Sequence, residues 1–346
     1  MERMVIGRTG LEVYRLGFGG IPLQRASETQ AVETVLHAIH LGVDFIDTSR
    51  AYTTSERRIG LALKQTDKKV TLASKSHSKT AEGARADLEI SLKELQRDYM
   101  DLYQCHFVKD EVDYQKVISP GGALESLKKA KEEGLIGNIG ITSHSLDVLD
   151  RSLDDGLFDT IMVCFSFLEP LAREKIIPKA LGKNVGVIAM KPFSGGVIEN
   201  ARLALKYALS HSGILVIAGV EHKDLFEENW KVFQAGQPLT EEEKKEIEEI
   251  RQRYEKVFCR RCDYCQPCSE EIPIQAVLGI RSMVKRMGEG ILQKGRHREA
   301  IDKARNCTAC EVCKDRCPYQ LPIPNLIEEN LQWVDEQLKS SGSLPG

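Results

Sequence analysis

Eight of the ten cysteines lie beyond residue 258 of the 346-residue chain, in two short runs. The first run has two residues between successive cysteines, and the second ends with a three-residue gap and a proline; the members are Cys259, Cys262, Cys265 and Cys268, then Cys307, Cys310, Cys313 and Cys317. Three thiolates at two-residue gaps can hold one cubane iron–sulfur cluster, and the displaced fourth cysteine ligates the other cluster of a pair. The spacing therefore predicts one or two [4Fe-4S] clusters, with Cys317 joining the first run and Cys268 the second.

The two runs are not equally regular. The first has only two residues before Cys268, and Ser269 stands where a proline is expected. Similar apolar phrases follow the runs, 272–274 (Ile-Pro-Ile) and 321–323 (Leu-Pro-Ile), which suggests a duplicated half-module. The pattern is that of bacterial two-cluster ferredoxins, and the first cluster is its less regular site.

Disulfides and zinc are the competing interpretations of these cysteines. The chain opens Met-Glu-Arg-Met with no apolar export segment, which disfavours disulfides. Zinc sites usually come as separated cysteine pairs or with histidine ligands. Iron–sulfur ligation is therefore favoured. Cys105 and Cys164 stand alone in apolar runs and are expected to be small buried hydrophobic residues.

Charge and hydropathy exclude some classes of partner. The formal net charge is −3, and no stripe of lysine or arginine suggests a nucleic-acid partner. No apolar run approaches the roughly 18 residues that span a bilayer, so no membrane partner is expected. The sequence predicts a soluble, cytoplasmic protein.

Eight apolar runs alternate with segments of helical spacing before residue 236. The runs are 16–19, 43–46, 70–73, 100–104, 136–141, 160–164, 185–189 and 214–218, and segments such as 29–41, 81–95 and 124–133 carry apolar residues at helical intervals. Eight such alternations predict an α/β protein with a (β/α)8 TIM barrel. Residues 4–14 look like a hairpin ahead of the first barrel strand.

Three parts of the chain follow from this pattern. The barrel is expected at 1–236, where a cluster of breaker residues, 234–239, ends it. A connector helix is expected at 237–257, with Thr240 and Glu243 forming a capping box. A small α-helical, ferredoxin-like iron–sulfur module is expected at 258–346, held by its clusters because so short a piece buries little apolar surface.

Four ionisable residues follow apolar runs where the strands of such a barrel should end. They are Asp47, Tyr52, Lys75 and His106. Each has an ordinary structural explanation on its own, as a helix cap, a half-buried aromatic, a solvated loop end and a core imidazole. Because the chemistry of this fold lies at the carboxyl ends of the strands, the four together predict a catalytic site.

Here the sequence resembles a known family. The segment 45–52 (Phe-Ile-Asp-Thr-Ser-Arg-Ala-Tyr), with Lys75 and His106 downstream, is similar to the Asp, Tyr, Lys, His signature of the aldo-keto reductases, and the match extends over about residues 1–235. The cysteine tail resembles the 4Fe-4S-containing subgroup of that superfamily. The resemblance implies an NAD(P)-dependent oxidoreductase that reduces a small carbonyl substrate, with the nicotinamide bound extended across the barrel mouth and no Rossmann domain.

The resemblance also assigns roles to the four residues. Tyr52 would protonate the carbonyl oxygen while hydride passes from the nicotinamide to the carbonyl carbon. Lys75 would stabilise the phenolate of Tyr52, and Asp47 would keep Lys75 charged. His106 would hydrogen-bond the substrate carbonyl.

By the same resemblance, nine positions are expected to contact the cofactor: Gly19, Gly20, Ser143, His144, Met190, Lys191, Gly219, Glu228 and Asn229. Several departures from the family pattern occur: His144 replaces an asparagine, Met162 a glutamine, and Met190 a stacking tyrosine. Leu225 stands where NADP-selective members carry an arginine for the 2′-phosphate, so NADP and NAD both stay open. His222 and Lys223 are alternatives for that contact.

A second function class remains open, because hydride transfer by itself has no need of clusters. A flavin would link two-electron and one-electron chemistry, although no flavin motif is visible. The alternative is an electron-transfer protein whose barrel is a flavin-binding or docking scaffold. Cationic residues around the cysteines, Arg260, Arg261, Lys314 and Arg316, would then dock an acidic redox partner protein, although exposed arginines more often only solvate a surface.

Overall fold

The computed structural model describes residues 2–340, apart from the side chain of Arg286. The chain divides into two compact units by its contacts. The first is Met1–Ser194 with Ile198–Glu243, and the second is Gly195–Val197 with Lys244–Gly346.

The first unit is a closed barrel of eight parallel strands preceded by a hairpin. The hairpin strands are β1 (Arg3–Val5) and β2 (Glu12–Tyr14), and the barrel strands are β3 (Leu16–Gly19), β4 (Phe45–Asp47), β5 (Thr71–Ser76), β6 (Met100–Cys105), β7 (Ile136–Ser143), β8 (Thr160–Cys164), β9 (Gly186–Met190) and β10 (Ile214–Gly219). Each strand pairs with the next, and β10 pairs with β3 at Val216 and Leu16 to close the ring. Strands buried on both faces read as continuous apolar runs, which is why hydropathy located them. The predicted barrel is confirmed.

Helices cover the outside of the barrel. They are α1 (Glu28–Leu41), α2 (Ser55–Leu63), α3 (Ala81–Leu95), α4 (Glu111–Ile118), α5 (Ala123–Glu132), α6 (Leu146–Asp155), α7 (Ile177–Gly182), α8 (Ala201–Leu209) and α9 (Lys223–Ala235). Five of them begin at a side chain that accepts a hydrogen bond from the first turn: Ser27, Thr80, Asp110, Ser145 and Asn200. Such caps satisfy amide groups that would otherwise lack partners.

The N-terminal hairpin is also confirmed, since β1 and β2 pair antiparallel. Ile6 and Val13 are fully buried in the inner core of the barrel. A Cβ on Gly7, whose φ is 51°, would lie 2.2 Å from the amide nitrogen of Gly186, the first residue of β9. The hairpin therefore fills the end of the barrel where the strands begin, and the other end remains for ligands.

The second unit is helical over its described residues. Its helices are α10 (Glu241–Tyr254, which starts in the first unit), α11 (Ile274–Leu278), α12 (Ile280–Met287), α13 (Arg296–Ala304), α14 (Val312–Asp315) and α15 (Ile323–Ser340). The predicted capping box is confirmed: the amide of Glu243 donates to Thr240 Oγ1 at 3.2 Å and the amide of Thr240 donates to Glu243 Oε2 at 2.9 Å. The contact boundary falls inside α10, and the division at 236 and 257 stays a prediction.

Cys105 and Cys164 are buried in β6 and β8, as expected. Among the described residues, no helix combines the length and hydropathy needed to cross a membrane.

Candidate active site

The four predicted catalytic residues come together at the carboxyl ends of three adjacent strands. Asp47 is the last residue of β4, Lys75 is next to last in β5, and His106 directly follows β6. Tyr52 lies in the turn between β4 and α2. Parallel strands in register bring their ends to one edge, and so residues far apart in sequence become neighbours.

A buried ion pair forms the base of this site. Lys75 Nζ lies 2.6 Å from Asp47 Oδ1 and 2.5 Å from the carbonyl oxygen of Thr48, and Gln104 Nε2 donates to Asp47 Oδ2 at 3.3 Å. Burial alone would lower the pKa of Lys75, but Asp47 and Tyr52 outweigh it and the pKa is raised. Burial raises the pKa of Asp47, and the Lys75 ammonium opposes that shift. Lys75 is therefore held as a cation.

Tyr52 sits against this cation. Lys75 Nζ is 5.1 Å from the centroid of the Tyr52 ring. Burial raises the pKa of the Tyr52 phenol, and Lys75 opposes the shift without cancelling it. Lys75 acts in the expected direction, yet burial is the larger effect. At neutral pH Tyr52 therefore keeps its proton and is available as an acid.

His106 lies beside Tyr52, with ring centroids 5.7 Å apart and planes nearly perpendicular. Burial, with the nearby Lys75 and other basic groups, holds the pKa of His106 well below its ordinary value. Its Nδ1 is 2.8 Å from Ser49 Oγ, and the ring of His77 is 4.1 Å away. Sequence reasoning missed both neighbours, since nothing in periodicity distinguishes Ser49 from a loop serine.

A rim of rings and cations continues from His106. Phe107 lies between His77, at 6.3 Å, and His144, at 4.9 Å, measured between ring centroids. Lys191 Nζ is 2.7 Å from His144 Nε2. Phe107 and Lys191 both adopt positive φ, a strained conformation that occurs often at functional sites. Two of the predicted cofactor positions, His144 and Lys191, thus share one rim with His106.

The Ser143 hydroxyl forms hydrogen bonds with nearby backbone groups. Its hydroxyl donates to the carbonyl oxygen of Val108 at 2.5 Å and accepts from the amide of Ser145 at 2.9 Å. Met190, at the end of β9, packs against the inner core that includes Met162. The cofactor contacts expected of Ser143 and Met190 stay predictions.

The predicted glycines meet where β10 closes on β3. Gly219 is paired with Gly19, and a Cβ on Gly219 would lie 3.0 Å from the Gly19 carbonyl oxygen. A Cβ on Gly20 would lie 2.7 Å from Ser55 Oγ. These glycines are explained by close packing within the protein, and the cofactor contacts expected of them stay predictions.

Two further positions expected to contact the cofactor, Glu228 and Asn229, lie inside α9, which begins at Lys223. Glu228 is exposed and Asn229 is buried. His222 Nδ1 is 2.7 Å from Gln30 Nε2, so this side chain is tied to α1. Leu225 is exposed.

The cysteines of the second unit gather around one core. Six of the eight belong to it or pack against it: Cys259, Cys265, Cys268, Cys307, Cys313 and Cys317. No disulfide joins any of the ten cysteines, all of which lie in the described part of the chain. Over the described residues no three His, Cys, Asp or Glu side chains already converge as ligands of a metal ion. A cavity of about 360 Å³ is bordered by Cys265, Cys268, Cys307, Cys310 and Cys313.

The cysteine thiols whose charges shift one another's pKa fall into two groups. Burial raises the pKa of Cys259 and of Cys262, and Cys317 from the other run adds to the effect on both. Burial also raises the pKa of Cys313, with contributions from Cys307 and Cys310. Because charge effects fall with distance, Cys317 lies close to the first run.

The cationic residues near the cysteines differ from the expected docking surface. Arg260 is buried, lies 4.3 Å from the Tyr319 ring centroid and donates to the carbonyl oxygens of Glu255 and Phe258. Arg261 has two buried nitrogens, Nε and Nη2, without a hydrogen-bond partner. Arg316 donates to the Pro267 carbonyl oxygen, and Lys314 pairs with Glu311. Arg260 in particular is a packing residue, so the expectation of an exposed arginine is wrong there.

Comparison with known proteins finds relatives of the barrel. A family model described as "Aldo/keto reductase family" matches residues 15–202, more than half of the chain. The chain is 32% identical over 217 residues to the L-galactose dehydrogenase of Arabidopsis thaliana, a match that covers 57% of this chain and 67% of that protein. The holo form of the aldo-keto reductase AKR11C1 from Bacillus halodurans superposes with a TM-score of 0.62 at 25% identity, over 72% of this chain and 96% of that one. An aldo-keto reductase of Klebsiella pneumoniae in complex with NADPH has the same fold, with a TM-score of 0.62 at 20% identity, over 72% and 95% of the two chains.

Proposed function

This chain belongs to the aldo/keto reductase family of NAD(P)-dependent oxidoreductases, and we propose that it reduces a small carbonyl compound with Tyr52 as the proton donor. One observation supports the proposal most: Tyr52 lies over the buried Lys75 cation, beside a neutral His106, at the ligand end of the barrel. A phenol that keeps its proton until charge develops on a nearby oxygen suits general acid catalysis.

Each side chain then has a separate task. His106 donates a hydrogen bond to the carbonyl oxygen and orients it toward Tyr52. Tyr52 gives its proton to that oxygen, and Lys75 stabilises the phenolate that remains. Asp47 and the Thr48 carbonyl hold Lys75 in place. The nicotinamide, when bound, supplies the hydride.

The residues at the barrel mouth fit a nicotinamide dinucleotide. Lys191 with His144 offers polar groups beside the site, and Gly19 and Gly219 end the two strands that close the barrel at this mouth. Without an arginine at Leu225 the chain has no guanidinium fork for a 2′-phosphate at that position, so both NADPH and NADH are candidate donors.

The test compares two tyrosines. Tyr52→Phe should lower carbonyl reduction by about 10² or more while the fluorescence of bound NADPH shows nearly unchanged affinity. Tyr114→Phe is the matched control, because Tyr114 is a buried tyrosine whose hydroxyl bonds Asp155 at 2.9 Å, away from the four residues. Equal turnover in the two variants would remove Tyr52 from the mechanism.

We further propose that the second unit binds [4Fe-4S] clusters through its eight cysteines. Cys259, Cys262, Cys265 and Cys317 would hold one cluster, and Cys268, Cys307, Cys310 and Cys313 the other. The thiol grouping across the two runs supports the exchange of Cys317. The cavity supports the other half, because Cys268, Cys307, Cys310 and Cys313 all border it, together with Cys265 of the first set.

Arg261 supplies an independent test of fit. Two buried guanidinium nitrogens without a hydrogen-bond partner are costly unless a negative charge faces them. Arg261 acts electrostatically on Cys259, so it lies near the first proposed cluster, whose thiolate ligands carry net negative charge. An anionic cluster there would give this cation its partner.

Anaerobic purification with iron and sulfide analysis tests the cluster proposal. About eight iron per chain are expected, because each cubane holds four iron atoms. Cys268→Ser should damage the cluster of the second run and Cys317→Ser that of the first, whereas Cys105→Ser should leave the iron content unchanged. A protein without iron would overturn the proposal. Tightly bound flavin would instead favour an electron-transfer scaffold.

A further inference from the structure

The Ser49 hydroxyl lies between His106 and the backbone of Lys75, two of the proposed catalytic residues. Ser49 is buried in the loop that carries Tyr52, and its Oγ lies 2.8 Å from His106 Nδ1. The Oγ also accepts a hydrogen bond from the amide of Ala51 at 3.2 Å. The single proton of the Ser49 hydroxyl therefore has two candidate acceptors, His106 Nδ1 and the carbonyl oxygen of Lys75 at 3.3 Å.

The nearer acceptor, His106 Nδ1, is also the better candidate for the Ser49 proton. The Lys75 carbonyl already accepts the amide of Arg50 at 3.0 Å. A neutral imidazole has one nitrogen that donates and one that accepts, and an accepting Nδ1 leaves the hydrogen on Nε2. The Nε2–H tautomer can donate to a carbonyl oxygen, whereas the Nδ1–H tautomer would point a lone pair at it.

We propose that Ser49 is a positioning residue for the reduction, because its hydroxyl donates to His106 Nδ1 and fixes the Nε2–H tautomer that hydrogen-bonds the substrate carbonyl. The inference rests on the proposed function. It assigns the orientation of the carbonyl to a side chain outside the four proposed catalytic residues. The depressed pKa of His106 adds to the argument, since a ring that resists a second proton depends wholly on its tautomer.

Three serine variants test this role kinetically. Ser49→Ala should lower kcat by about ten- to a hundredfold, in line with the loss of one buried hydrogen-bond partner, and leave the KM for the nicotinamide cofactor nearly unchanged. Ser49→Thr keeps the hydroxyl and should restore kcat to within a few-fold of the parent. Ser91→Ala is the control for a buried serine, since Ser91 bonds the Tyr103 hydroxyl at 3.2 Å and should leave kcat unaffected.

The tautomer itself can be measured by nitrogen NMR on histidine-labelled protein. The His106 signals are assigned by their loss in His106→Asn. The parent should show an acceptor-type Nδ1 and a protonated Nε2, and Ser49→Ala should show a mixture of tautomers. A protonated Nδ1 in the parent, or unchanged spectra and kcat in Ser49→Ala, would overturn the proposal.

The result separates this inference from the proposed function. If Tyr52→Phe is inactive while Ser49→Ala is fully active, only the role of Ser49 is wrong. If Tyr52→Phe keeps full activity, the carbonyl-reduction mechanism fails, and the role of Ser49 fails with it.

Discussion

The ion pair of Asp47 and Lys75 gives a quantitative prediction. Both side chains are almost wholly buried, at 2% and 0% exposure, with charged atoms 2.6 Å apart. Lys75→Met leaves a buried carboxylate whose only remaining side-chain donor among the described residues is Gln104 at 3.3 Å. Removal of one partner from such a pair costs about 3–5 kcal/mol, and Asp47→Asn should cost as much because it strands the ammonium. If the pair is coupled, the double variant, which has no charge left, should cost well below the roughly 6–10 kcal/mol of the summed single changes.

The chain offers a clean reporter for this cycle. Its two tryptophans fall in different units, Trp230 buried in α9 and Trp333 in α15. In a Trp333→Phe background, urea unfolding followed by fluorescence reports the barrel alone. Lys179→Met serves as the control, because its ion pairs with Asp150 at 2.7 Å and Asp154 at 2.9 Å lie at the surface, where such a pair is worth about 1 kcal/mol or less.

The activity of the same variants completes the test. Lys75→Met, Asp47→Asn and the double variant should all lose carbonyl reduction, since each removes or misplaces the cation that stabilises the Tyr52 phenolate. The double variant should then be folded yet inactive. Additive stability costs would refute the coupled pair, and an active double variant would refute the role of Lys75.

Three further predictions follow from other features. The pKa of His106 lies well below 6.5 and that of Tyr52 above 10, so the rate of carbonyl reduction should not change between about pH 6 and pH 8. A fall in rate near pH 6.5 that vanishes in His106→Asn would contradict this. Arg261→Leu removes a cation that favours the more negative, reduced cluster, so a redox titration followed by EPR should show a lower potential. Arg298→Leu, which removes a guanidinium paired with Asp302, is the control. Equal potentials in the two variants would show that Arg261 does not face a cluster. Gly7→Ala should lower the midpoint of thermal unfolding far more than Gly10→Ala. Both glycines have positive φ, but only at Gly7 would a Cβ lie against backbone atoms. Equal midpoints in the two variants would contradict the close contact.

The sequence located the strands well because their cause is local. The run at 16–19 matches β3 and the run at 160–164 matches β8, each a continuous apolar stretch. Their ends are less predictable, since hydrogen bonding and not hydropathy decides them. β7 runs on through Thr142 and Ser143, polar residues that are buried by neighbouring strands. β4 starts after Asp44, whose carboxylate instead accepts the amide of Tyr14 and anchors the hairpin.

The candidate site divides in the same way. Asp47, Lys75 and His106 were predictable because each stands at the end of an apolar run, where a parallel barrel gathers side chains. Ser49 and His77 were not, because their contacts depend on how a loop folds over the strand ends. Arg260 was misjudged, because composition suggests exposure for arginine while the aromatic faces of Phe258 and Tyr319 accept its guanidinium.

The closure of the barrel between β3 and β10 has a consequence for synthesis on the ribosome. Leu16 pairs with Val216, so the first barrel strand lacks one neighbour until about 200 more residues are made. At about 5–20 residues per second that takes roughly 10–40 s, during which the nascent chain carries an unpaired strand edge. The edge strand has only four residues, from Leu16 to Gly19, and a strand that short is a poor template for pairing with other chains. The brevity of β3 thus protects the growing polypeptide through the interval when it is most prone to aggregate.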